Sequence, residues 1–287
     1  MKLALATAIA AFSLDEDLAP LQQACIEAGI DTSVLAWDDI TVSWARFDAV
    51  LLRSTWDYTD RLPEFLAWCE RTSKRTQLWN APDVVRWNTD KRYLGELAKR
   101  GVPVIQSHYL APGQDPAGLP DLEEFVVKPT VGAGSRDAQR YVRSERDIAI
   151  AHARRLLDQG RHVLVQPYLK AVDEQGETAL LFFGGQFSHA IRKGPLLKRG
   201  EGPTRALFAA EHIQAREPSA AEHAVAAKVL AALPFDTLPY ARVDLLPSET
   251  GPQLLELELT EPSVFLPYAP GAAARFAQVL ATRLKPT

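Results

Sequence analysis

The sequence predicts a mixed α/β chain: a small parallel-sheet domain at the N-terminus, then two lobes of α+β character. Three observations carry this expectation. Apolar runs at 2–9, 32–36 and 49–52 alternate with amphipathic helical stretches, the β-α-β pattern of a parallel, doubly wound sheet. The runs 125–129 and 140–142 flank a Gly-rich turn, and 242–246 and 253–262 flank a Pro/Ser/Gly turn, two antiparallel hairpins.

At 287 residues the chain has room for more than one core, and 47% hydrophobic with 24% charged residues is an ordinary globular mix. A net charge of -4 leaves no electrostatic footprint for nucleic acid or anionic membrane, so neither is an expected partner. Cys25 and Cys69 fall at helical spacing from Leu21 and Phe65, the signature of buried thiols, and a reducing, cytoplasmic setting fits. The apolar opening has Lys2 as its one positive charge and runs into Asp15-Glu16-Asp17, so it reads as a first buried strand rather than a leader. No run is long enough to span a bilayer. A homo-oligomer is compatible with the sequence, which does not encode its order.

Residues 17–29 read as a helix with Leu18, Leu21, Cys25 and Ile26 on one stripe and Gly29 as its stop. No G-x-G-x-x-G follows the first strand, so dinucleotide binding is not supported. Arg53-Ser54-Thr55-Trp56-Asp57-Tyr58 comes at the carboxyl end of the 49–52 strand, where open α/β sheets hold ligands. Arg53, Ser54 and Thr55 are therefore candidate substrate residues, while Trp56 and Tyr58 read equally well as caps on the core. A helix over 62–71, with Phe65, Leu66 and Cys69 inward, completes a first domain, 1–86.

The second segment, 87–165, opens on a helix expected from Asn88 to Arg100. Lys91 would sit in its first turn, where a cation opposes the helix dipole, so a phosphate is its expected partner. A loop over 112–120 leads to the 125–129 strand, which carries Lys128. Gly132 and Gly134 in the following turn let backbone N–H groups approach phosphate oxygens, although a plain hairpin turn explains them too. A helix over 148–159 and a strand over 163–169, broken at Pro167, follow.

The third segment, 166–287, has a hairpin around Gly184-Gly185 that delivers Arg192 and Lys193, then a basic loop over 193–203 that is either solvated or a flap over an anionic substrate. A helix over 219–232 leads to the acidic hairpin. There Glu256 and Glu258 share one face of a strand, Leu255, Leu257 and Leu259 the other, and Asp244 faces the glutamates from across the turn. Converging carboxylates raise one another's pKa unless a cation sits among them; hard oxygen donors suit Mg²⁺ or Mn²⁺, and Arg242 suits a phosphate. A merely acidic outer face is the competing reading. The six histidines show no metal-ligand spacing.

Taken in order, Lys91, Val127-Lys128-Pro129 before the glycine hairpin, Gln166-Pro167-Tyr168-Leu169, Arg242-x-Asp244 and Glu256-x-Glu258 resemble the ATP-grasp superfamily, most closely its glutathione-synthetase type. Arg53-Ser54-Thr55-Trp56-Asp57-Tyr58 adds a resemblance to the ATP-grasp ligases that close the cycloserine ring. The resemblance implies an ATP-grasp fold whose two lobes clasp ATP. It implies that Lys91 and Lys128 reach the phosphates beneath a flap at Gly132 and Gly134, and that Gln166, Pro167, Tyr168 and Leu169 meet adenine. Glu177, with Glu174 as rival, would hold ribose; Arg192 and Arg242 would be catalytic, beside the γ-phosphate or acceptor. Asp244, Glu256 and Glu258 would bind two Mg²⁺ ions, with Mn²⁺ as a substitute; the family commonly has Asn where this chain has Glu258. The implied activity is an ADP-forming carboxylate-amine ligase of amino-acid or antibiotic metabolism. It would activate a small amino-acid-like or peptide-like substrate as an acylphosphate, intermolecularly or by cyclisation. Positioning and charge neutralisation suffice for such a step, so no protein nucleophile is expected. A small-molecule kinase and a non-catalytic nucleotide-binding module are the alternatives.

Overall fold

The computed structural model describes residues 1–197, 200 and 212–285. Part of the expected basic flap, Lys198, Arg199 and 201–203, lies outside the described residues.

Three sheets organise the chain. The first is parallel, in the order β2-β1-β3-β4, from β1 (Lys2–Thr7), β2 (Asp31–Ala36), β3 (Ala49–Leu52) and β4 (Gln77–Trp79). Helix α1 (Leu18–Glu27) joins β1 to β2 and α2 (Leu62–Ser73) lies between β3 and β4. Leu3 to Ala6 and all of β3 are buried, as unbroken apolar runs in a parallel sheet should be. Gly29, at φ +81°, ends the α1 turn in the left-handed region. Asp17 does not cap α1; its carboxylate is used elsewhere, as described below.

The helix expected from Asn88 to Arg100 is shorter, α4 (Tyr93–Lys99), and a further helix that was not expected, α3 (Pro82–Asn88), ends where it should have begun. Pro82 starts α3, where its missing N–H costs nothing. Lys91 lies in the intervening turn, with its backbone N–H bonded to the Thr130 carbonyl at 2.9 Å, so it belongs to no helix.

The second sheet is antiparallel, β5-β8-β6-β7, from β5 (His108–Leu110), β6 (Glu124–Pro129), β7 (Gln139–Val142) and β8 (Val163–Pro167). Helix α5 (Arg146–Asp158) covers one face, closing a separate core that includes Phe125, Val127, Tyr141, Leu156 and Val165.

Short α6 (Val172–Gln175) precedes β9 (Glu177–Phe183), β10 (Gln186–Lys193) and β11 (Ile213–Arg216); α7 (Ala220–Ala231), β12 (Tyr240–Leu246), β13 (Gln253–Glu258) and α8 (Ala272–Leu284) follow. The strands form an antiparallel sheet, β11-β10-β9-β12-β13. A reciprocal capping box, Ser219 with Glu222, starts α7. Helix α8 packs against α1 and the third sheet, with Phe276 stacked on Phe183 at 4.2 Å. Leu21, Cys25, Leu181 and Leu280 share that core, so the first and third sheets are joined by one apolar interior.

Candidate active site

One cavity is lined by both antiparallel sheets: Val126 and Lys128 from β6, the 132–136 turn, 166–169 at the end of β8, and β10, β12 and β13 from the other side. Trp56 and Tyr58, from beyond β3, close one end.

The acidic hairpin pairs Asp244 with Glu256 and Arg242 with Glu258 across the ladder. A bulge follows, and Leu255, expected on the leucine side, turns into the cavity beside Glu256 while Leu254 and Leu257 stay buried. The three carboxylates do not gather around a common centre. Asp244, 1% exposed, accepts from Arg242 Nη2 at 2.8 Å and from Lys193 Nζ at 2.9 Å; burial would raise its pKa, but the two cations outweigh it and hold it below the usual range. Glu256 pairs with Lys91 at 2.8 Å, and despite burial Lys91 and Lys128 keep its pKa low. Glu258 pairs with Arg242, yet burial, reinforced by neighbouring acids, pushes it up to about 8. Among the described residues no His, Cys, Asp or Glu group of three has metal-site geometry.

Lys91 also donates to the Gly132 carbonyl at 2.7 Å, tying the glycine turn to the acidic strand. Lys128 has no hydrogen-bond or ion-pair partner among the described residues; burial lowers its pKa to about 8, with Glu256 only partly opposing. The glycine turn holds Gly134, Ser135 and Asp137 at φ near +60°, and Asp137 is pinned by Arg155 and Arg161.

Arg192, expected at the γ-phosphate, points away: its guanidinium donates to the Gln175 and Glu174 carbonyls at 2.6 and 2.7 Å. Strand alternation turns the next residue, Lys193, inward, where it bridges Asp244 and Glu177. Glu177 lines the cavity and Glu174 does not; burial pushes Glu177 up to about 8 against the pull of Lys193. At the far end, Gln166 donates to Ser107 Oγ at 3.0 Å, and the Arg140 guanidinium lies 3.5 Å from the centroid of the Tyr168 ring. The Tyr168 hydroxyl donates to Asp173 at 2.5 Å and its backbone N–H to the Glu124 carbonyl. The Pro167-Tyr168-Leu169 edge is thereby fixed.

Arg53, Ser54 and Thr55 do not line the cavity. Arg53, 1% exposed, donates to the Pro262 carbonyl at 2.7 Å and pairs with Asp17 at 3.7 Å. It belongs to a set of side chains that hold the irregular segment 257–266 by its backbone. Asn88 accepts from Leu259 and Thr260 N–H; Asn80 donates to the Leu259 carbonyl, Tyr240 to Thr260, Trp56 to Glu261 and His189 to Val264. Asp17 accepts from three successive amides, Val264, Phe265 and Leu266, at 2.6 to 3.1 Å. A buried segment without a ladder needs such partners, and here most come from the N-terminal sheet. The segment presents Glu261, Ser263 and Phe265 to the cavity. Glu261 went unrecognised in sequence, as did Lys193 as an inward residue; the only signal for Glu261 was its place three residues after Glu258 in the stretch that ends at Pro262.

Residues 3–80 match the family described as D-cycloserine synthetase DcsG, N-terminal domain. Over 99% of both chains the sequence is 46% identical to the cycloserine biosynthesis protein DcsG of Streptomyces lavendulae. The crystal structure of D-cycloserine synthetase DcsG superposes with a TM-score of 0.91 at 45% identity, covering 99% of this chain and 100% of the other. The ATP-grasp ligase PsnB, solved with a precursor variant, Mg and ADP, superposes at 0.65 with 18% identity, over 99% and 98%, and shares the fold.

Proposed function

The chain belongs to the D-cycloserine synthetase family, ligases of ATP-grasp fold, and from that premise we propose that it closes the cycloserine ring by ADP-forming ligation within one substrate molecule. Lys128 is the observation that carries the reading. An ammonium group lining the cavity, desolvated there with no salt-bridge partner among the described residues and only partly offset by Glu256, is costly unless an anion arrives, and ATP phosphates are such an anion. Lys91 beside it is bound to the glycine turn, so phosphate contact and turn closure are coupled. The fixed edge at Pro167, Tyr168 and Leu169 offers backbone groups and an aromatic face to adenine, with Glu177 toward ribose.

The donor set fits Mg²⁺. Glu256 and Glu258 face the cavity and each spends one oxygen on a cation, leaving the other; one or two carboxylates plus substrate phosphates are the usual Mg²⁺ ligands. Asp244, with both oxygens engaged by Arg242, would join them on release of Lys193. Bound there, Mg²⁺ supplies charge neutralisation at the phosphates. Two ions are proposed, with Mn²⁺ as a competent substitute.

The residues then act by position and charge. Lys91 and Lys128 hold the phosphates, and Arg242 and Lys193 face the phosphoryl group as it passes to the substrate carboxylate. The resulting acylphosphate is attacked by a nitrogen of the same molecule; phosphate leaves with the C–O bonding pair as the ring C–N bond forms, and the nitrogen's proton passes to solvent. The test is ADP release with a panel of open-chain amino acids bearing nitrogen on the β-oxygen, followed by mass spectrometry. D-cycloserine with free phosphate is the expected outcome. A stable phosphorylated product would make the protein a kinase, and no ADP release across the panel would leave a nucleotide-binding module. Titration with Mg²⁺ and Mn²⁺ in the same assay reads ion number and preference.

A further inference from the structure

Four glutamates line the cavity, and three are matched by cations of the protein: Glu177 by Lys193, Glu256 by Lys91 and Glu258 by Arg242. Glu261 is not. It is 5% exposed and in no salt bridge among the described residues; Arg242 and Lys91 act on it as nearby charges, each already paired with another glutamate. A carboxylate so placed is destabilising unless hydrogen-bonded or joined by a charge from outside. Its neighbour is the buried Tyr58 hydroxyl, a donor whose influence opposes the rise in pKa that burial imposes on the carboxyl, and a carboxylate has acceptor sites to spare.

The backbone around Glu261 leaves the side chain little choice. The carbonyls of Thr260, Glu261 and Pro262 are held by Tyr240, Trp56 and Arg53 at 2.8, 3.1 and 2.7 Å. Trp56, Tyr58 and Phe265 line the cavity around the carboxylate, and aromatic walls beside a carboxylate suit an ammonium group. Trp56 and Tyr58 come from the turn that follows β3 of the first sheet, whereas the edge proposed for adenine comes from the second sheet.

We infer that Glu261, beside Tyr58 on the cavity wall, is the recognition site for the α-ammonium group of the substrate, and so restricts the ligase to α-amino acids. The inference rests on the ring-closing reading above, since D-cycloserine keeps a free amino group beside its ring carbonyl. A charged hydrogen bond of this kind, lost when either partner is removed, corresponds to about 10- to 100-fold in specificity.

The test is a cycle between residue and substrate. The kcat/KM of wild type and Glu261→Gln is measured with a panel substrate that yields D-cycloserine and with its des-amino analogue, which has hydrogen for the α-amino group. Wild type should favour the amino substrate by about 10- to 100-fold, and Glu261→Gln should shrink that ratio to within about 3-fold while the KM for ATP stays put. Tyr58→Phe should shrink it in the same direction by a smaller factor, and carries the test alone if the Gln variant does not fold. An equal loss on both substrates, or an unchanged ratio, overturns the subsite and leaves ring closure standing. Absence of turnover by wild type overturns the ring-closing reading and, with it, the ligand assigned to Glu261.

Discussion

Lys128 shows how a binding residue can work against the fold that carries it. Burial holds its ammonium at about 8 in the folded chain, against an ordinary 10.5. Between those values the unfolded chain binds more protons, so this lysine lowers stability below pH 8, and the penalty lifts as pH rises through the window. Lys128→Met should therefore cost about 100-fold or more in kcat/KM for ATP without lowering the ligand-free melting temperature at pH 7. A melting temperature several degrees lower would mean that the ammonium is a structural partner after all. The neighbouring contrast is sharper. Lys193→Met should reduce kcat by about 100-fold, whereas Arg192→Ala, which frees the Glu174 and Gln175 carbonyls, should change it by no more than about 3-fold. Steady-state kinetics on both variants separates them; the reverse ranking would return the phosphate-side role to Arg192. Residue types at this site were legible in sequence, since lysines and glutamates in apolar strands are unusual enough to mark a ligand. Which of two adjacent basic residues turned inward was not, because one step of register exchanges the faces of a strand.

At the scale of elements, the stretch 257–266 has no ladder of its own beyond β13, and its shape is imposed by side chains far away in sequence. Asn88 satisfies the Leu257 carbonyl and two amides, and Asp17 satisfies three amides. Removing such a partner strands buried N–H groups, each worth about 1–3 kcal/mol. Asn88→Ala and Asp17→Asn should each lower unfolding free energy by about 2–4 kcal/mol in urea melts and loosen the presentation of Glu261. Retention of full stability in both variants would show that the segment is held by apolar packing instead. Arg53 belongs to this clamp, which explains why reading it as a substrate residue misplaced it: a buried arginine at the end of a parallel strand marks a site only through what it holds. The helix expected over 88–100 starts late, since Asn88 at its expected opening is engaged with the distant backbone of Leu257, Leu259 and Thr260. Strongly periodic elements, such as α2 and the β12–β13 hairpin, were legible because their partners lie close in sequence.

The whole molecule couples its cores through the same polar contacts, and two buried histidines make that coupling depend on pH. His152 lies in the core of the second sheet, its Nδ1 3.0 Å from the Tyr141 hydroxyl; His189, on β10, bonds the Val264 carbonyl through Nε2 at 2.8 Å. Burial lowers each to about 4, below the ordinary 6.5. Above 6.5 both are neutral whether folded or unfolded and add no pH dependence. As pH falls from 6.5 toward 4 the unfolded chain takes up their protons first, so stability is lost across that window and levels off below it. Each histidine contributes a slope approaching about 1.4 kcal/mol per pH unit within the window. His152→Gln should flatten the acid limb of the stability curve by about that amount, and His189→Gln likewise. The two differ in where the loss appears. Hydrogen exchange at pH 5 should open the second sheet first through His152, and the 257–266 segment first through His189, since that histidine holds the strand bearing Lys193 against the segment bearing Glu261. An acid limb unchanged in both variants would place the acid sensitivity in the carboxylates. No periodicity or spacing in the sequence announced this pairing, because each histidine is defined by a partner on another element, and only the packed sheets bring those partners within reach.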